Sequence, residues 1–519
     1  MAKVVIIGLD GATWNILLPL IKSKKLATLT NLVECGVSGN LRSVIPPISA
    51  PAWVSFMTGK NPGKHGIFDF VHYGNNTESQ HQLVSSLSIR DKTLWEILGI
   101  YGKTVGSINV PVTYPPKKVN GFLISDFMTP PSAKIFTYPQ ELSRQLSDYK
   151  IDVNFAREWL FKDKNAPYSV KREDMLEEQY DVTKKRGLTV TRLMDEWNPD
   201  FLAVVFKGTD NLQHYFWDRW DVLQDYYQKL DEIIGDILSH SGKDVTVIIM
   251  SDHGFGPAAT KNFYINSWLK QSGWLTIHSG AKSHASMRFY QIALRANSKL
   301  KLSRRLPTKF VDKVIKTSKE AIDWTNTKAY ADKKGLSGIF INRSHAGKEA
   351  SQYEELRKQI IEDIKLLNDP ETGEKIIEGA YKKEELYSGP FTNTLPDIIL
   401  LQNPRYMLSD VLCDTIIDSF KPPRPGDHLN GFMDGIFIAN GPALKENFHI
   451  EDAKIYDIAP TVLHLCGVPV PDDMDGRVLK EIFREGSEPA QREIKFQPDS
   501  PEQERVKDKV TDLKILKKI

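Results

Sequence analysis

The chain of 519 residues carries 68 Lys and Arg against 66 Asp and Glu, a formal net charge of +2, so no global field selects nucleic acid or an anionic membrane surface. Its three cysteines, Cys35, Cys413 and Cys466, form no CxxC pair and cannot build a disulfide framework in so long a chain, which suits a reducing compartment. Met1-Ala2-Lys3 runs straight into Val4-Val5-Ile6-Ile7, too short for a signal-peptide core, and no apolar run reaches transmembrane length, so the chain reads as soluble and cytoplasmic. The length suggests about three domains on a prior of roughly one per 150 residues, and it leaves a homo-oligomer open.

Lys3 to Leu9 reads as a buried strand that ends at Asp10-Gly11-Ala12. A carboxylate there can hold a cation, or it can cap the helix expected from Thr13 onward. In the next informative stretch, prolines 46, 47 and 51 fix the backbone around Ser49. Ser49 then stands near the start of a helix running to about Thr58, where amide N–H groups and the helix dipole favour an anion. A hydroxyl in that place is either a nucleophile or an N-cap. Gly59-Lys60 followed by Gly63-Lys64 is one residue short of a phosphate-binding P-loop, and His65 stands where that motif needs Ser or Thr, so the motif is rejected.

A helix near Leu94 to Tyr101 precedes strands Thr104–Asn109 and Gly121–Ser125, with the extended loop Val110–Pro116 between them. Residues 135 to 170 are irregular. Glu173 to Glu196 is helical, and Phe201 to Phe206 is an apolar strand that leads into Lys207-Gly208-Thr209-Asp210 and then His214. Four residues apart on a helix, Asp210 and His214 project from one face, as a surface pair or as two metal ligands. Asp221 to Ser239 is an amphipathic helix.

Val245 to Met250 is a short β-branched run buried on both faces, and Ser251-Asp252-His253-Gly254 stands at its end. Ligand sites of open parallel sheets lie beyond the carboxyl ends of the strands. An acid and an imidazole together at that edge suit a metal such as zinc, and otherwise make a solvated turn.

Residues 275 to 325 turn basic and helical, as in Lys299-Leu300-Lys301-Leu302-Ser303-Arg304-Arg305, which reads as an insertion or a solvated basic face. Strand signals resume at Gly338–Asn342, Asp397–Leu401 and Gly435–Ala439, and Tyr353 to Leu367 is helical. Gly426-Asp427-His428 lies in a Pro- and Gly-bounded loop just before the strand at Gly435. His65 reads as a loop brace, and His464 as part of a helix from Ile455 to Cys466. Beyond about Glu485 the chain is polar, and Pro501 to Ile519 is a charged helical tail with Val506, Val510, Leu513 and Leu516 on one side.

Taken in order, six pieces resemble the alkaline phosphatase superfamily, in its phosphodiesterase and nucleotide-pyrophosphatase-like branch. They are Gly8-Leu9-Asp10-Gly11-Ala12, Pro47-Ile48-Ser49-Ala50-Pro51-Ala52-Trp53, Thr58-Gly59 with Gly63 and His65-Gly66, Thr209-Asp210 with His214, Ser251-Asp252-His253-Gly254, and Asp427-His428. The resemblance covers about residues 3 to 480. It implies an α/β fold with a mostly parallel central sheet and helices on both faces. The implied catalytic core is 1–274 and 326–484, with 275–325 a helical insertion or cap and 485–519 the tail.

It also implies two divalent ions, zinc first with manganese or magnesium as alternatives. Asp210, His214 and His428 would hold one ion; Asp10, Asp252 and His253 would hold the other, joined by the nucleophile Ser49. Two ions roughly 3.5–4 Å apart can stabilise the attacking and leaving oxygens of an in-line displacement. The implied activity is phosphate ester hydrolysis through a phosphoseryl intermediate. A phosphotransferase or mutase of the same superfamily, or a metal-bound protein without turnover, is the alternative.

Two departures bear on the substrate. Nucleotide pyrophosphatases carry Asn after the Asp of their His-Gly-x-x-Asp element, whereas here Asp69 is followed by Phe70. Their nucleophile is usually Thr, and this chain has Ser49. Lys207, Asn109 or Arg424 is expected to supply the missing anion contact, with Phe70 lining the pocket, which suits a lipid-linked or glycosyl phosphoester. Sulfatases use Cys or Ser followed by Pro and Arg at fixed spacing; Trp53 in place of that Arg demotes sulfate esters.

Overall fold

Val4 to Leu9 is apolar without interruption because both sides of the strand are covered. The computed structural model describes residues 3–72, 82–154, 172–242, 244–278, 319–332, 336–344, 350–428 and 431–498. In it, Val4 and Ile6 enter one buried cluster, and Val5, Ile7 and Leu9 enter a second on the opposite face. Alternate residues of one strand thus feed two cores, the period-2 signature of a sheet covered by helices on both faces.

That sheet has nine strands. In chain order they are β1 (Lys3–Leu9), β2 (Val37–Arg42), β3 (Val105–Ile108), β4 (Gly121–Ile124), β5 (Thr137–Tyr138), β6 (Phe201–Phe206), β7 (Val245–Met250), β8 (Asp434–Asn440) and β9 (Phe448–Lys454). Their spatial order is β9-β2-β8-β7-β1-β6-β3-β4-β5. All run one way except β8 and β5, which are antiparallel to their neighbours. The architecture is the expected α/β one. The reversal of β8 matters, because it brings the beginning of that strand to the edge where β1, β6 and β7 end.

Strands β2 and β9 had no apolar signature to announce them. Val37–Arg42 reads VSGNLR, and its Gly39 lets the chains approach so closely that a Cβ there would lie 2.2 Å from Ile450 O. Pairing, rather than residue preference, makes these segments strands.

Between β7 and β8 the chain leaves the main sheet. Lys261–Tyr264, Tyr406–Ser409 and Ile417–Ser419 form a three-stranded sheet; Ala329–Ala331, Gly338–Ile341, Ile377–Lys382 and Ile398–Gln402 form a four-stranded antiparallel one. These share a separate core that includes Phe263, Trp268, Ile339, Ile360 and Tyr406. The segment outside the main sheet is therefore wider than the 275–325 insertion expected from composition, since short apolar strands look alike whichever sheet they join. Of that insertion, residues 279–318 lie outside the described residues, as does the tail from 499 onward. The part of the tail before that folds back, with Phe496–Gln497 pairing in parallel with Val470–Pro471. Among the described residues, no helix is long and apolar enough to cross a membrane.

Candidate active site

Three adjacent strands of the main sheet deliver the first groups. Gly8 of β1 is level with Met250 of β7, and Leu9 of β1 is level with Phe206 of β6. Asp10, Asp252 and Lys207 therefore leave the sheet at one edge. Gly11 takes a positive φ of 65° in the turn after β1, and its amide donates to Asp252 Oδ1 at 3.0 Å. Helix α1 (Ser49–Thr58) starts over this edge, and α2 (Gly208–Phe216) follows β6 directly. Thr209 of α2 donates through Oγ1 to Asp10 O at 2.6 Å, tying the helix to the end of β1. His428 arrives on the lead into β8, held by a short bridge in which Asp427 pairs with Gly256.

The result is two groups of three. Asp210, His214 and His428 form one, and Asp10, Asp252 and His253 the other; all six are buried, and within each group the candidate ligand atoms lie within 4.8 Å of one another. His214 Nε2 is 3.4 Å and His428 Nε2 3.7 Å from Asp210 Oδ1. His253 Nε2 is 3.2 Å from Asp252 Oδ2 and 3.8 Å from Asp10 Oδ1. The rings of His253 and His428 stack at 3.9 Å, so the groups adjoin.

The three imidazoles share one arrangement. Nδ1 of His214 faces Gly426 O, that of His253 faces Gly254 O, and that of His428 faces Pro47 O, at 3.1, 2.9 and 3.0 Å. A carbonyl accepts only from N–H, so Nδ1 carries a proton and Nε2 is the nitrogen turned toward the carboxylates, the one that offers its lone pair in the neutral ring, as in metal-binding histidines. Asp210 Oδ1 and Asp252 Oδ2 are buried with no hydrogen-bond partner. Among the described residues here, three buried carboxylates face one part-buried cation, Lys207, whose Nζ is 2.7 Å from Asp210 Oδ2. Such a surplus of negative charge is costly without further cations. Hard oxygens and imidazole nitrogens around orphaned lone pairs fit two divalent ions.

The electrostatics carry the same imbalance. Burial, with the Asp252 carboxylate next in weight, pushes Asp10 up to about 7. Burial opposes charge on His253, but Asp252, Asp10 and Asp210 outweigh it and raise its pKa. Burial likewise works against ionised Asp210, yet Lys207 and His214 hold its carboxyl well below the usual range.

Ser49 is the first residue of α1 and is almost fully buried. Its Oγ donates to Asp10 Oδ1 at 3.3 Å and lies 3.4 Å from His253 Nε2. The first amides of a helix have no intrahelical acceptor, so an anion can be met at the same place. Trp53, one turn on, donates through Nε1 to Asp10 Oδ2 at 3.0 Å. Sequence reasoning weighed Trp53 only as a missing arginine; nothing in a lone indole signals a carboxylate partner.

The expected substrate contacts separate. Lys207 reaches the clusters, as described. Phe70 is part-buried and meets Phe127 edge-on at 5.8 Å, and Lys207 Nζ sits 4.9 Å from the centre of that second ring. Phe127, unmarked in the sequence, thus links the two. Asn109 spends its amide elsewhere: Nδ2 donates to Ile151 O at 2.8 Å, and Tyr149 donates its hydroxyl to Oδ1. Arg424 lies over the Tyr215 ring. His65 braces its loop, with Nε2 2.9 Å from Ser55 Oγ, and His464 sits in the helix Ile458–Leu465 facing Pro489 O at 2.8 Å.

No curated protein sequence matches the chain. Among solved structures, phosphonoacetate hydrolase from Sinorhizobium meliloti in complex with phosphonoacetate is similar at a TM-score of 0.53 and 14% identity, over 88% of this chain and 94% of that one. Murine ectonucleotide pyrophosphatase / phosphodiesterase 5, inactive and in complex with AMP, is similar at a TM-score of 0.51 and 14% identity, over 93% of this chain and 100% of that one. At that identity the two show a shared fold. The family model described as type I phosphodiesterase / nucleotide pyrophosphatase matches residues 4–412. This chain belongs to the type I phosphodiesterase / nucleotide pyrophosphatase family, within the alkaline phosphatase superfamily, and is a phosphoric ester hydrolase of that family.

Proposed function

We propose that the enzyme is a two-metal phosphodiesterase that works through a phosphoseryl intermediate on Ser49. One ion is assigned to Asp210, His214 and His428, and the other to Asp10, Asp252 and His253 with Ser49. The observation that carries the reading is the placing of Ser49 Oγ, 3.3 Å from Asp10 Oδ1 and 3.4 Å from His253 Nε2, at the amino end of α1. Bound there, two divalent ions supply Lewis acidity toward the phosphoryl oxygens and make a hydroxyl or water easier to deprotonate. Zinc suits the mixed nitrogen and oxygen donors best, with manganese or magnesium next.

The chain's own residues divide the remaining work. Asp10 and the turn of α1 hold the Ser49 hydroxyl toward the clusters. Its oxygen bonds to phosphorus as the ester bond to the leaving group breaks, and the Ser49 proton ends on the leaving oxygen, which departs as the alcohol. Water then displaces the serine, releasing the phosphorylated product and the free hydroxyl. Lys207 and the first amides of α1 face the nonbridging oxygens. Phe70 and Phe127 offer an apolar wall where family relatives with Asn would donate a hydrogen bond, which favours a bulky or apolar ester such as a lipid-linked or glycosyl phosphodiester. The three free cysteines, two of them buried, are consistent with a cytoplasmic enzyme.

Metal analysis together with turnover on bis(p-nitrophenyl) phosphate, p-nitrophenyl phosphate and p-nitrophenyl sulfate tests the proposal. We expect two ions per chain, the diester as the best substrate, loss of activity to chelators, and none in Ser49→Ala. A metal-free active enzyme, or a sulfate preference, would overturn it.

A further inference from the structure

Asp10 is gripped from one side by a single helix. Oδ1 accepts from Ser49 and Oδ2 from the Trp53 indole, and the two donors are four residues apart, so they share a face of α1. The indole is fully buried, and β1 leaves space for it: a Cβ on Gly8 would lie 2.3 Å from Trp53 Cη2. An indole is a donor only; it cannot ligate an ion, accept a proton or act as a nucleophile. Its N–H can only orient a partner.

We infer that Trp53 is a positioning residue for the Asp10, Asp252 and His253 metal site. By occupying Oδ2, its N–H leaves Oδ1, the oxygen 3.8 Å from His253 Nε2, as the one turned toward an ion. The same helix face carries Ser49 into register with that oxygen. The inference rests on the metal assignment proposed above. Without the N–H, a buried carboxylate oxygen loses its donor, and Asp10 is free to turn, to present both oxygens or to release Ser49. Partners of this kind behind a metal ligand commonly contribute 10- to 100-fold in metal affinity.

A purely structural role is the competing account, since Trp53 also packs edge-on against Phe56 at 5.7 Å. Trp53→Phe keeps an aromatic ring and removes the N–H. Trp95→Phe is the control; Trp95 is buried in the same core cluster, on a helix, Leu94–Ile100, that supplies no candidate ligand. The chelator-stripped full chain and both variants are titrated with zinc by calorimetry. We expect Trp53→Phe to weaken one of two sites by roughly 10- to 100-fold, with the other site and both sites of Trp95→Phe at parental affinity. Parental affinity at both sites of Trp53→Phe, equal weakening of both, or the same pattern in Trp95→Phe would overturn the inference while the metal assignment stands. A parent chain that binds no zinc would remove the assignment itself, and the inference with it. Should Trp53→Phe fail to fold, Gly8→Ala pushes the indole aside instead; it should weaken the same single site, and parental affinity in that variant would count against Trp53.

Discussion

The edge of the main sheet and the turn after α1, residues 59–66, are both buried and both rich in charge, but they settle that charge differently. In the turn, Lys60 Nζ lies 2.8 Å from Asp91 Oδ1 and also meets Asp473, and Lys64 Nζ lies 2.7 Å from Asp475 Oδ1. Asn61 donates to Asp475, and His65 spends both ring nitrogens, one on Ser55 and one accepting from the Ile67 amide at 3.2 Å. Each lysine there has its carboxylate. At the sheet edge, three carboxylates share one lysine, two of their oxygens have no hydrogen-bond partner, and three imidazoles turn their Nε2 atoms toward them. Buried polar groups in native proteins are normally satisfied. In the turn one oxygen, Asp473 Oδ1, also lacks a partner, but two lysines meet its three carboxylates and its histidine is spent on Ser55 and Ile67, which makes it a brace. At the sheet edge one lysine and three imidazoles facing three carboxylates make a place for ions and substrate.

The largest test of this contrast is Ser49→Ala. Losing the nucleophile should lower kcat by several orders of magnitude while leaving metal content near parental, read by steady-state kinetics and elemental analysis; near-normal turnover would end the covalent reading. Next come His253→Ala and His428→Ala. Each should lower bound metal by about one ion per chain from a different group, with activity lost in both. Full occupancy in both variants would mean that the open clusters do not hold ions.

Lys207→Ala removes a charged contact worth about 1.5–3 kcal/mol, so kcat/KM should fall roughly 10- to 150-fold. A silent variant would confine Lys207 to pairing with Asp210. Phe70→Asn restores a donor to the wall, and kcat/KM on an aryl nucleotide ester should rise about tenfold if about 1.4 kcal/mol reaches the transition state. No change would place Phe70 away from the phosphate.

The brace is tested through stability rather than turnover. Burial, with Lys60 nearby, pushes His65 from 6.5 down to about 3. The unfolded imidazole takes up a proton near pH 6.5 while the folded one does not, so stability is full above that pH and falls on acidification toward 3. The slope should be about 1.4 kcal/mol per pH unit, measured by urea unfolding. His65→Gln should flatten that slope; an unchanged slope would show that His65 does not set it.

Composition and pattern carried much of the architecture. The unbroken apolar runs of β1, β6 and β7 announced a parallel sheet covered on both faces, and the acids and histidines directly after them marked its edge as the candidate site. Asp10, Ser49, Asp210, His214, Asp252, His253 and His428 could each be singled out at a strand end, a helix start, a four-residue helical spacing or a loop before a strand, but only the resemblance to the superfamily joined them into two ligand sets and a nucleophile. Strands β2 and β9 were not legible, since Ser38, Gly39, Asn40 and Asp452 prefer other conformations and become strand only through pairing.

Other decisions needed the third dimension. A histidine in a sequence does not show where its second nitrogen will go; the carbonyls of Pro47 and Gly426, each supplied by a different part of the chain, decide that His428 and His214 keep Nε2 free. Trp53 becomes a partner of Asp10 only when α1 lies over the end of β1, and Asn109 is drawn from the site by Ile151 and Tyr149. Side-chain type and spacing are written along the chain, but which hydrogen bonds are already taken depends on residues tens to hundreds of positions away, and only the fold brings those together.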